Sequence, residues 1–153
     1  MKNIPQNIAT GLKGRRIAAI DFGLKRVGLA VCDEFHITVS PRDTMNYESP
    51  EFWPKLIELL KDENIYAVVV GVPLRPDGIE NGILPRIKEF MKDLGNKTGL
   101  PVIPYDESYS SQKAVATMIE IGTPKKKRRQ KGSIDRVAAA IILKEFLEEI
   151  EGI

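Results

Sequence analysis

The chain has 153 residues, 42% of them hydrophobic and 29% charged, and a net charge of +2. That is enough for one domain with a real core and too little for two full ones. Cys32 is the only cysteine, which excludes an intramolecular disulfide and any Cys-rich zinc site, and His36 is the only histidine, which disfavours mechanisms built on imidazole.

Chemistry here must rest mainly on carboxylates, lysines, arginines or hydroxyls, and carboxylates favour hard metals. The opening residues lack an apolar signal core, and no stretch approaches the roughly 18 apolar residues of a membrane span. A cytoplasmic protein with no membrane partner is expected. Residues 1–15 read as a flexible tail and 16–153 as a single domain.

The first predicted element is a strand from Ile17 that ends on Asp21; a turn marked by Gly23 leads into a second apolar run through Val31 and Cys32, completing a hairpin. Asp21 faces the edge of the core. A carboxylate there needs hydrogen-bond donors, a basic partner or a cation, because burying it unpaired costs several kcal/mol. Cys32 is expected to pack in the second strand, and His36 to be structural in a third. That strand is predicted over Ile37 to Val39, ended by Ser40 and Pro41. Asp33, Asp43 and Asp77 read as turn residues.

Ser49-Pro50 opens a helix from Glu51 to Asp62, with Leu56, Ile57, Leu59 and Leu60 on one face and Phe52 and Trp53 at its start. Tyr66 to Val72 is a continuous apolar strand of the kind buried on both sides, ended by Pro73. A second helix opens between Asn81 and Pro85. Its stripe of Leu84, Ile87, Met91 and Leu94 predicts a stop at Gly95. A strand from Pro101 to Tyr105 delivers Asp106 and Glu107 at its carboxyl end, where open α/β sheets place ligands. A helix follows from Ser111 to Ile121, then a basic loop, then a last helix from Ser133 to about Ile150, apolar nearly all round at its centre.

Three antiparallel strands followed by alternating α and β predict an α/β ribonuclease H-like fold, a mixed five-stranded sheet flanked by helices. In that fold the ends of the first and last strands and the start of the last helix converge, which would bring together Asp21, the Asp106-Glu107 pair and Asp135. Clustered carboxylates need a counter-charge, and Mg²⁺ or Mn²⁺ supplies it with oxygen ligands. Two such ions could activate water and stabilise the leaving oxygen of a phosphodiester. Strand alternation sends Asp106 and Glu107 to opposite faces, and Glu107 is preferred because its longer side chain reaches in from the strand end. Asp135 is also what capping and the helix dipole would favour at a helix start.

Lys125, Lys126, Lys127, Arg128, Arg129 and Lys131 put six cations in seven residues, leaving the rest of the chain at −4 against a total of +2. A solvated loop would look the same, but this run precedes the helix bearing Asp135, where it could hold a polyanion. Lys25 and Arg26, in the turn after Asp21, are further candidates for phosphate contact. No aromatic stacking platform is evident.

The segment from Asp21 to Val31, then Val69 to Gly78, then Asp106-Glu107, and finally Asp135-Arg136-Val137-Ala138-Ala139, together with the basic run, resemble the successive motifs of the YqgF (RuvX-like) family. These are bacterial ribonuclease H-fold proteins described as Holliday junction resolvases and as nucleases maturing the 5′ end of 16S ribosomal RNA. The resemblance implies a metal-dependent cytoplasmic nuclease acting on precursor rRNA or branched DNA, with Asp21, Glu107 and Asp135 as catalytic, metal-holding acids. It also implies that the Gly71 to Gly78 loop lines the site. One departure stands out: Ser108 replaces the arginine that usually follows the Asp-Glu pair. The Asp21-Phe22-Gly23 segment is also similar to the phosphate motif of actin-like ATPases, which clamp a nucleotide between two such domains where this chain has length for one. A non-catalytic RNA-binding assembly factor is the remaining alternative, and either a monomer or a homodimer fits the sequence.

Overall fold

The computed structural model describes residues 10–72, 82–106 and 131–151, with side chains from residue 137 onward in the last stretch. Among the described residues five strands form one sheet: β1 (Ile17–Phe22), β2 (Arg26–Cys32), β3 (Val39–Asn46), β4 (Ala67–Val72) and β5 (Val102–Asp106). Three helices accompany them: α1 (Phe52–Asp62), α2 (Ile83–Thr98) and α3 (Lys131–Glu151). The sheet order is β3-β2-β1-β4-β5, with β1 antiparallel to β2 and parallel to β4, and β4 parallel to β5. This is the predicted ribonuclease H-like arrangement, and it makes β1 the central strand.

Alternation along β1 divides the core. Ala18, Ile20 and Phe22 join Val68, Val70 and Val72 against Leu56, Leu60, Ile87, Phe90 and Leu94 of α1 and α2. Ile17 and Ala19 join Ala67, Val69 and Tyr105 against Ala139, Ile142, Leu143 and Phe146 of α3. Small residues face each other on the second side, Ala19 and Ala30 beneath Ala139, which lets α3 lie close to the sheet. Every residue of β4 is buried, as a strand covered on both faces must be.

Several expected boundaries move. The third strand starts at Val39 and runs through Pro41 to Asn46. Proline is tolerated because β3 is an edge strand, paired only with β2. Asp43 lies inside β3, where the register slips between Val27 and Leu29, and is not a turn residue. Asp33 is one, and its Oδ1 accepts the Ile37 and Thr38 amides at 2.8 and 2.9 Å. His36 sits in that turn with φ +56, outside any strand. Its ring meets the Arg15 carbonyl and the Glu151 carboxylate, each at 2.7 Å, which joins the β2–β3 turn to the chain before β1 and to the end of α3. Gly95 lies inside α2; the stop is Gly99 at φ +71, whose amide donates to the Gly95 carbonyl at 2.9 Å. Of the two glycines only Gly99 adopts the left-handed conformation that ends a helix, so the earlier one had no reason to terminate it.

The last helix includes Lys131 and Gly132, so Ser133 is interior and not a cap, and Asp135 is its fifth residue. Residues 10–15 also depart from the expected flexible tail: Leu12 is buried with the α3 core. Residues 1–9 and the expected helix over 111–121 lie outside the described residues. Cys32 is buried as expected, with burial raising its thiol pKa.

One ionic knot ties four elements. Glu63, just beyond α1, accepts Arg42 of β3 at 2.6 and 3.0 Å and Arg16 at 3.1 Å, and Arg16 also donates to the Cys32 carbonyl at 3.2 Å. Hydrogen bonds from Arg42 lead the effects that hold the Glu63 pKa below the usual range, with Arg16 adding to them. Glu63→Ala leaves two guanidinium groups facing each other and is expected to cost about 1–3 kcal/mol in urea denaturation at pH 7. Because the folded pKa is depressed, this stability is present above the unfolded value and lost as pH falls through the folded one. The gap between variant and parent should therefore close in acid; a gap that stays constant to pH 3 would contradict the account.

Candidate active site

Asp21 is the fifth of six residues in the central strand and is half-buried. It lies opposite Gly28 of β2, and the next step of the Ile20–Val70 register sets it level with Gly71 of β4. The carboxylate therefore stands at the carboxyl end of β1 between two neighbours without side chains, on the face crossed by α3. That leaves lateral room that any other residue pair would fill. The donor set is hard oxygen, suited to a Mg²⁺-type cation.

Gly71 is in turn level with Tyr105 of β5, which shares this face and packs edge-on against Phe146 at 5.8 Å. Burial, with the carboxylates of Glu149 and Glu145 next in effect, pushes the Tyr105 phenol far above its usual range. It stays protonated at any working pH. Tyr105 carries no motif signal, and only its register beside Gly71 singles it out.

Asp106 shares the strand parity of Val102, which packs against the α1 and α2 side, so alternation puts it on the face opposite Asp21. Glu107 lies outside the described residues, as do Lys125 to Arg129 and the Pro73 to Gly78 part of the expected site loop. For Asp135 and Lys131 only the helical backbone of α3 is described. Among the described residues no group of three or more His, Cys, Asp or Glu could hold a metal ion.

Lys25 and Arg26 sit where expected, in the turn just past Asp21, Lys25 exposed and Arg26 half-buried at the start of β2. The turn is tight. A Cβ at Gly23 would come within 2.6 Å of the Arg26 carbonyl oxygen, which is why glycine is needed there. The Tyr47 amide donates to the Lys25 carbonyl at 2.8 Å, and Tyr47 meets Phe22 edge-on at 4.9 Å, so the turn is fixed to an aromatic cluster beneath it. Phe22, Tyr47, Phe52, Trp53 and Phe90 make up that cluster. The exposed aromatic Phe35 lies instead in the β2–β3 turn, at the other end of the sheet. No helix among the described residues is long and apolar enough to cross a membrane.

Comparison with known proteins identifies the family. Residues 15–149 match the family described as RuvX: Holliday junction resolvase. A protein of Christiangramia forsetii named "Putative pre-16S rRNA nuclease" is 38% identical over 135 residues, covering 88% of this chain and 98% of that one. One of the same name from Syntrophus aciditrophicus is 34% identical, covering 88% and 89%. Among solved structures, Thermus thermophilus RuvC in complex with a Holliday junction substrate superposes with a TM-score of 0.53 at 17% identity, covering 90% of this chain and 96% of that one. The fowlpox virus Holliday junction resolvase gives 0.50 at 17% identity, covering 88% and 97%. At those identities the structural likeness speaks for the fold.

Proposed function

Since the chain belongs to the RuvX family of Holliday junction resolvases, we propose that it is a divalent-metal-dependent nuclease that cleaves structured nucleic acid in the cytoplasm, with the 5′ end of precursor 16S rRNA as its substrate. The observation that carries this is Asp21, a carboxylate at the carboxyl end of the central strand with glycines on both sides. Asp21, Glu107 and Asp135 are the residues that would hold one or two Mg²⁺ or Mn²⁺ ions. Period-two alternation from Tyr105 favours Glu107 over Asp106 as the partner of Asp21. When bound, the ions supply an activated water and charge stabilisation at the leaving oxygen. Lys25, Arg26 and the Lys125 to Lys131 run hold substrate phosphates, which sets position without reading sequence.

The family description favours a second substrate, the four-way DNA junction, whose symmetric resolution requires two active sites and hence a dimer. A cleavage panel separates the readings. Precursor rRNA, a four-way junction and single strands are offered side by side with Mg²⁺, Mn²⁺ or EDTA. Metal-dependent trimming of the RNA alone is expected; paired cuts in the junction by a dimer would move the assignment to DNA. Salt-sensitive RNA binding with no cleavage in any metal would leave a non-catalytic assembly factor.

A further inference from the structure

Beside the edge strand β3, where α1 packs against the sheet, lies a cavity of about 400 Å³, within the range of small-molecule sites. Its floor is apolar, from Met45, Phe52 and Leu59, and its polar lining includes Thr44, Asn46 and Lys55. It adjoins the turn that carries the candidate phosphate contacts. Asn46 pairs with Arg26, Met45 pairs with Val27, and the next residue, Tyr47, binds the Lys25 carbonyl.

We propose that this cavity is a nucleotide subsite that takes one unstacked base from the substrate strand where it rounds the β3 edge, while Lys25, in the turn at that end of the sheet, holds an adjoining phosphate and Arg26, which alternates to the α3 face with Asp21, holds one nearer the cut. It rests on the nuclease reading above and adds that the substrate is single-stranded beside the cleavage position, since drawing a base out of a duplex costs a few kcal/mol of pairing and stacking that a single strand largely avoids. An apolar floor suits the face of a base, and the amide of Asn46 and hydroxyl of Thr44 suit its edge. Asp43, also in the lining, would repel a phosphate, so the base enters and the backbone stays outside near Lys55. Lys55 is available for that contact. Its pairing with Glu51 at 3.2 Å is between side chains 63% and 69% exposed, and such pairs are readily exchanged. Strand addition by a peptide is the less suitable occupant, because the register slip and Pro41 disrupt this edge.

The test uses the full chain carrying Asp21→Asn, in metal-free buffer, so that binding is read without cleavage. A short single-stranded RNA carries 2-aminopurine at successive positions. One position should respond on binding, and Thr44→Trp, which fills the cavity, should weaken affinity about 5–100-fold and abolish that response. An RNA abasic at that position should bind parent and Thr44→Trp equally. Lys55→Ala, at an exposed site that does not threaten folding, should flatten the salt dependence of binding. Equal affinities for parent, Thr44→Trp and Lys55→Ala would overturn the subsite, as would an extended peptide that occupies β3 while the RNA response persists. Absence of cleavage by the parent chain in Mg²⁺ or Mn²⁺ would overturn the nuclease reading and leave the subsite result standing.

Discussion

Asp21→Asn is expected to lower the cleavage rate roughly 10³-fold at saturating Mg²⁺, with the fold unchanged. The amide keeps the volume and shape of the carboxylate between Gly28 and Gly71 and removes only its charge. Asp21 is half-buried at the strand end, so the isosteric change leaves the packing of the core beneath untouched. The measurement is the single-turnover rate on precursor RNA beside a thermal melt. A rate within tenfold of the parent, with the melt unchanged, would remove Asp21 from the chemistry. EDTA should have the same effect on the parent that the substitution has, and the two losses should not add, because both remove one charge arrangement.

Phe90→Ala should be the most destabilising of the changes considered, by about 3–5 kcal/mol. Phe90 is fully buried at the centre of the aromatic cluster, 4.7 Å from Phe22, 5.4 Å from Trp53, 5.8 Å from Tyr47 and 6.2 Å from Phe52 between ring centroids. No single neighbour can collapse into a space bounded by four rings, so the cavity term is expected in full. For a chain of this length that corresponds to a fall in Tm of roughly 6–20 °C. Phe22 follows Asp21 directly, and Tyr47 fixes the turn of Lys25. Cleavage should therefore decline at temperatures below the melt, and a shift of under 3 °C would show that the cluster repacks.

The fold was legible wherever hydrophobic pattern alone decides structure. β4 is an unbroken apolar run because both its faces are covered, and the stripe from Leu84 to Leu94 is one face of α2. Errors fell where the deciding partner is distant in sequence. Pro41 reads as a breaker until β3 is known to be an edge strand, and Gly95 reads as a stop until Gly99 is seen to take the positive φ. Asp21 could be found because an acid closing an apolar run is conspicuous. Its glycine neighbours and the level of Tyr105 depend on registers between strands that no local window contains. The cavity beside β3 needs a register slip and a helix together, and neither predicts it alone.

The helix α3 has a consequence for synthesis. It covers β1, β2 and β3, the last of which ends at Asn46, well before the helix begins at Lys131, and supplies most of the described apolar layer over Ile17, Ala19 and Val69. While a ribosome is still making the middle of the chain, that face of the sheet has no lid and remains sticky and unfinished. The same helix carries Asp135. On the proposed assignment, closure of the core and completion of the acidic site would be one late event, and a chain truncated before this helix would lack both.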